Sequence, residues 1–217
     1  MGTPGPRACP PVRAGWKTGG MKIVVIGASG SIGKVVADTF AGRGHEVVRA
    51  SRSGDVAVNL ADAASVARLF ETVTGIDAVV VAAGSVPFRH LTALDRDDYT
   101  AAFLGKVLPQ LDVVRHALTH LNDGGSVTLT SGVLSREPIA TGAAAAMANG
   151  ALESFVITAA AEAPRGIRIN AVSPDVLENS PGYHDLFAGH RPVTDAEIGH
   201  AYTRAVEGLV TGTTIVV

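Results

Sequence analysis

Residues 22–40 read KIVVIGASGSIGKVVADTF, and their reading decides the fold. Residues 22–27 are an apolar, β-branched run of strand length, and the spacing from Ser31 onward is helical. Between the two, Gly27, Gly30 and Gly33 form a G-x-x-G-x-x-G pattern, so a strand turns tightly and feeds into a helix. Such a turn leaves backbone N–H groups and the positive end of the helix dipole facing a shared point, an arrangement suited to a pyrophosphate. The pattern therefore nominates Gly27, Ser29, Gly30, Ser31, Ile32 and Gly33 as a dinucleotide phosphate loop.

The same alternation continues outward from this unit. Short apolar runs predict strands over 22–27, 46–51, 56–60, 77–83, 126–131, 168–173 and 213–217, and helical spacing fills 31–44, 62–75, about 95–121 and about 142–163. Gly44, Gly75 and Gly124 stand at or near helix ends, where a left-handed residue is favoured. The class is α/β: a doubly wound, seven-stranded parallel sheet in a single domain over 21–217. Residues 1–20 differ, being rich in Pro and Gly and basic without any acid, and are expected to be a disordered extension. Met21 is an alternative start, and Cys9 and Trp16 both precede it.

Composition narrows the partners. With 217 residues, 47% hydrophobic, and a net charge of −2, the chain is expected to be compact and soluble, without a nucleic-acid partner. Its apolar runs, such as 78–83, fall short of a membrane span. One cysteine excludes an internal disulfide framework and fits a reducing cytoplasm.

Strand ends supply the rest of a nucleotide pocket. The second strand closes on Arg49-Ala50-Ser51-Arg52-Ser53, with no acid before Asp55. An acid there would bond a ribose 2′-hydroxyl, whereas Ser51, Arg52 and Ser53 suit a 2′-phosphate. NADP(H) is thus preferred, with NAD(H) as the alternative. Asn59 and Leu60 end the third strand and Ala82, Ala83 and Gly84 the fourth, and such carboxyl ends line the ligand crevice of an open parallel sheet.

Together GASGSIG, VNLAD, VVVAAG, SVTLTS ending in Ser131, RGIRINAVSP (165–174) and the closing VTGTTIVV resemble the short-chain dehydrogenase/reductase family over nearly all of 21–217. The resemblance implies a Rossmann-like fold that carries its own substrate pocket. It also implies hydride transfer between NAD(P) and a small alcohol or carbonyl. In that family a serine holds the carbonyl oxygen, a tyrosine exchanges the proton, and a lysine one helical turn later lowers the tyrosine pKa and contacts the ribose. Ser131 matches the serine. Aligning NGALE (149–153) with the family pattern puts the lysine position at Asn149 and the tyrosine position at Ala145.

Alanine carries no proton, and losing a general acid commonly costs a factor of about 10²–10⁴. Lys106, near the family's active-site asparagine, is the first substitute, because a desolvated lysine titrates closer to neutrality. Tyr183 with His184 is a second, and Asn149 is left to bond a ribose or a water. Pro174 and Val176, with Asn179, are expected near the nicotinamide carboxamide, although Asp175 stands where the family has glycine. Residues 174–194 read as a lid or substrate loop. His184 and His190 are expected on the surface, with no metal site. The alanine run 142–150 reads first as packing surface, and the family's pairing of such helices implies a homodimer or homotetramer. Two functions follow: an NADP(H)-dependent oxidoreductase with a non-standard proton donor, or a catalytically silent NADP(H)-binding sensor or scaffold.

Overall fold

The computed structural model describes residues 19–54 and 56–217. The expected extension lies outside the described residues except for Gly19 and Gly20, as do Cys9, Trp16 and Asp55. Seven strands, β1 (Lys22–Ile26), β2 (Glu46–Ser51), β3 (Val56–Ala57), β4 (Ile76–Val81), β5 (Leu121–Thr130), β6 (Arg168–Ser173) and β7 (Thr214–Val216), form one sheet in the order β3-β2-β1-β4-β5-β6-β7. Every pairing is parallel. The order reverses between β1 and β4, and that reversal opens a crevice at their carboxyl ends.

Side chains alternate across β1 and divide the core in two. Val24 and Ile26 face a cluster built with α2 (Ala63–Thr72), α4 (Leu108–His120) and α5 (Ala143–Glu162). Ile23 and Val25 face a second cluster built with α1 (Ser31–Gly42) and α6 (Asp195–Glu207). A sheet covered on both faces needs strands that are apolar throughout, and β4 is buried at all six positions. α5 is long and apolar enough to cross a membrane by length and composition, with mean hydropathy 1.3. It packs as a cover helix whose Ala144, Ala148, Leu152 and Val156 are fully buried.

Several expected boundaries move. β3 is only a two-residue edge strand, because Asn59 turns the chain: its side-chain oxygen accepts from the Ala61 amide at 3.2 Å and its carbonyl from the Asp62 amide at 3.0 Å. β5 begins five residues early and enters through a register shift opposite Ile76 and Ala78. The expected helix over 95–121 is three pieces: α3 (Arg96–Ala102), a π-helical turn (Phe103–Val107) and α4. Proline at position 109 explains the break, since it has no N–H to give and its ring displaces the carbonyl four residues back. That carbonyl, on Gly105, accepts instead from the Ser85 amide at 3.0 Å. α6 was not expected at all, although Thr194-Asp195-Ala196-Glu197 is a complete capping box and marks its start.

Candidate active site

The crevice is shaped first by glycines. Gly27 has φ +85°, and a Cβ there would lie 2.5 Å from the Ala82 carbonyl oxygen. A Cβ on Gly33 would lie 2.0 Å from the Gly27 oxygen, so α1 rests directly on the turn that precedes it. Gly30 caps α1 without a side-chain hydrogen bond, and no acid occupies the first turn. The free amides and dipole of α1 thus face a cavity of about 650 Å³ lined by Ser29, Gly30, Ser31, Lys34 and Asn179 among others. These features fit a dinucleotide pyrophosphate.

At the end of β2, Ser51 is buried while Arg52 and Ser53 are exposed in the following turn. Arg49 is held by Asp38 at 2.7 Å. Arg52 has no ion pair among the described residues, which leaves it the available cation at this strand end. Asn59 and Leu60 stand in the turn beyond β3.

A second cavity of about 180 Å³ adjoins the loop and is lined by Ile32, Ala82, Ala83, Gly84, Lys106, Thr130 and Ser131. Lys106 enters it from the π turn. Its stem lies over Gly84, where a Cβ would come within 2.8 Å of Lys106 Cγ. Nζ donates to the Ser131 carbonyl at 2.9 Å and to Asn149 Oδ1 at 2.6 Å. An ammonium has three protons, and the third has no acceptor among the described residues. Burial pulls the Lys106 pKa from 10.5 down to about 8, against a smaller opposing pull from Glu153. Asn149 is 3% exposed and donates from Nδ2 to the Gly132 carbonyl at 3.1 Å. Lys106 thus reaches across the pocket to Asn149 on α5, the position the resemblance gives to a lysine.

Ser131 follows β5 and is held on both sides. Its amide donates to the Val172 carbonyl at 2.9 Å. The preceding Thr130 is clamped by the fully buried Gln110, whose amide accepts from the Thr130 N–H at 3.0 Å and donates to its carbonyl at 3.1 Å. Ser131 Oγ donates to Glu153 Oε1 at 2.8 Å. Arg136 Nη1 donates to the other Glu153 oxygen at 2.6 Å, and its Nη2 bonds Ser173 Oγ. Glu153 was missed at the sequence level. The signal was present, since Glu153 is one helical turn after Asn149 and shares its face.

The remaining expectations fare unevenly. Ala145 is 3% exposed in an apolar cluster with Val133 and Leu134, backed by Val86, Ile139 and Phe187, so the alanine run is packing surface at this point. Tyr183, the second candidate donor, is 53% exposed, as an ordinary loop aromatic would be. His184 is tied to the Leu177 carbonyl at 2.9 Å. His190 corrects the surface assignment: its side chain is 12% exposed and Nδ1 lies 2.7 Å from Asp175 Oδ2. Asp175 also accepts from the Val176 amide at 2.6 Å, so the residue in the family's glycine position anchors the loop. Pro174 and Val176 are buried, with the Pro174 carbonyl accepting from Val133 at 2.9 Å. No cluster of three or more candidate metal ligands occurs among the described residues.

Comparison with known proteins bears on the fold and family. The family model described as enoyl-(acyl carrier protein) reductase matches residues 27–184. The crystal structure of protein lin1944 from Listeria innocua shares 41% identity and a TM-score of 0.88, over 91% of this chain and 99% of that one. A small-chain dehydrogenase solved in complex with NADPH shares 28% identity and a TM-score of 0.81, over 91% of this chain and 96% of that one. A hydroxynaphthalene reductase-like protein of Metarhizium brunneum is 29% identical over 180 residues, 71% of this chain and 67% of that protein. The chain thus spans about two thirds of that relative's length.

Proposed function

The chain belongs to the short-chain dehydrogenase/reductase family, and on that premise we propose that it is an NADP(H)-dependent oxidoreductase acting on a small alcohol or carbonyl, with Lys106 as its proton donor. The observation that carries this reading is the Lys106 ammonium, buried beside Ser131 with one proton uncommitted. The bound dinucleotide supplies or accepts the hydride. Gly27, Ser29, Gly30, Ser31, Ile32 and Gly33 would hold its pyrophosphate, and Ser51, Arg52 and Ser53 its 2′-phosphate. Asn59 and Leu60 would lie toward its adenine, and Ala82 to Gly84, Pro174 and Val176 would border its nicotinamide half. Lys106, titrating near 8, donates its free proton to the substrate oxygen in reduction and recovers it in oxidation. Asn149 keeps the ammonium in place.

Supporting a homodimer or homotetramer are the exposed apolar side chains Phe103, Leu104, Leu108, Met147 and Ile157 around the α3–α4 break and α5. The reading carries with it a cytoplasmic location and no nucleic-acid or membrane partner, in line with the single cysteine and the small net charge. A second reading, a silent NADP(H)-binding sensor or scaffold, draws its support from Ala145 being walled in by apolar side chains.

The first experiment is a titration with NADPH and NADH followed by dinucleotide fluorescence. NADPH is expected to bind the tighter, and Arg52→Ala to weaken NADPH about 10- to 100-fold while leaving NADH unchanged. Binding of neither dinucleotide refutes the proposal. Ser131→Ala separates the two readings, because an oxidoreductase loses turnover while a silent binder keeps its cofactor affinity and has no turnover to lose.

A further inference from the structure

A serine hydroxyl has one proton to give, and the position of Glu153 decides where the proton of Ser131 goes. Oε1 of Glu153 lies 2.8 Å from Ser131 Oγ, and among the described residues the only other acceptor bonded to that hydroxyl is the Val172 carbonyl at 3.5 Å. Both acceptors are protein groups, so the proton is directed away from the cavity. Glu153 is well fixed to receive it. Arg136 holds its second oxygen at 2.6 Å, and Arg136 is itself bonded to Ser135 at 3.0 Å and to Ser173. Ser135, the neighbouring hydroxyl on Oε1 at 2.8 Å, has an alternative acceptor in the Gly132 carbonyl at 3.0 Å. Glu153 therefore keeps a place for Ser131 whichever way Ser135 turns.

We infer that Glu153 is a positioning residue that fixes Ser131 as a hydrogen-bond acceptor toward the cavity, so that the site recognises a hydroxyl group in preference to a bare carbonyl. Lys106 then offers the cavity a donor, its free N–H, and Ser131 Oγ offers it an acceptor. An alcohol oxygen satisfies both, accepting from Lys106 and donating to Ser131. A ketone oxygen only accepts. It either faces the lone pairs of Ser131 or draws the proton away from the Glu153 carboxylate, and both choices forfeit a hydrogen bond. This deepens the oxidoreductase reading, from which it takes the class of ligand, but the polarity belongs to Ser131 and Glu153 themselves.

Cyclohexanol and cyclohexanone serve as a matched pair of probes, titrated into the full chain without dinucleotide and followed by ligand-observed NMR. The alcohol is expected to bind about tenfold tighter than the ketone. Glu153→Gln should reverse the order. Arg136 can only donate, so it takes the amide oxygen, and the amide NH₂ then faces Ser131 and turns its proton into the cavity. Ser131→Ala should bring the two affinities together, which a merely structural loss at Glu153 would not reproduce. A ketone preference in the unaltered protein, an alcohol preference that survives Glu153→Gln, or binding of neither probe would overturn the inference. Failure of the dinucleotide titration would sink the oxidoreductase reading while leaving this ratio intact, so the two can fail separately.

Discussion

Replacing Lys106 by methionine keeps an unbranched stem over Gly84 and removes the ammonium. In the folded chain that group titrates near 8 instead of 10.5, a difference worth about 3 kcal/mol. Between those values the unfolded chain binds more protons than the folded one, so stability rises with pH across the window and is lowest below it. At neutral pH the buried charge costs the fold about 3 kcal/mol relative to a neutral amine. Methionine relieves that cost but strands the Ser131 carbonyl and Asn149 Oδ1, each of which loses a donor. The two effects oppose at a single pH. The pH dependence separates them, because the stranded acceptors do not titrate. Urea unfolding at about pH 7 and about pH 9.5 should show the unaltered protein gaining about 2 kcal/mol on Lys106→Met. Carbonyl reduction by the unaltered enzyme should fall about tenfold between pH 7 and pH 9 as the donor loses its proton. A stability difference independent of pH, or a variant that reduces carbonyls at the original rate, would refute the role given to Lys106.

Other perturbations test the frame around it. Gly33→Ala places a methyl 2.0 Å from the Gly27 oxygen, so α1 must lift from its turn; a loss of about 1–3 kcal/mol in thermal unfolding and of dinucleotide binding is expected. Gly84→Ala presses on the Lys106 stem at 2.8 Å and should shift the pH dependence of turnover without removing any ionisable group. Asp175→Asn weakens the hold on His190, and limited proteolysis should then cut the segment 178–192 several-fold faster. Leu104→Glu puts a charge on the exposed apolar face, and sedimentation should show the proposed homodimer or homotetramer giving way to monomers.

The parts legible in the sequence were those governed by local rules. β1, its glycine turn and α1 follow from a change of apolar period around three glycines, and all seven strands were found, β4 most plainly because a strand covered on both faces is a nearly pure apolar run. Lys106 and Asn149 were singled out by position, and the structure brings them into contact. What escaped was mostly long-range. Nothing local joins Asp175 to His190, fifteen residues on, and although the helical period puts Glu153 on the face of Asn149, it does not name Ser131 as its partner. The break before α4 and the start of α6 were local signals left unread, a proline at 109 and a capping box at 194–197.

Gln110 gives the sheet an overhang. β4 ends at Val81 and its backbone pairing with β5 stops at Val80 and Thr128, yet β5 runs on to Thr130. On its other side β5 stays paired with β6 as far as Thr130 and Val172, so only the side toward β4 is left open. Here a helix lends one side-chain amide as the missing rung, so the last residue before Ser131 is as firmly seated as the interior of the sheet. Ser131 can thus stand beyond the end of β5, at the wall of the smaller cavity, while inheriting the rigidity of the strand behind it. Gln110, fully buried, steadies from behind the strand end that carries Ser131.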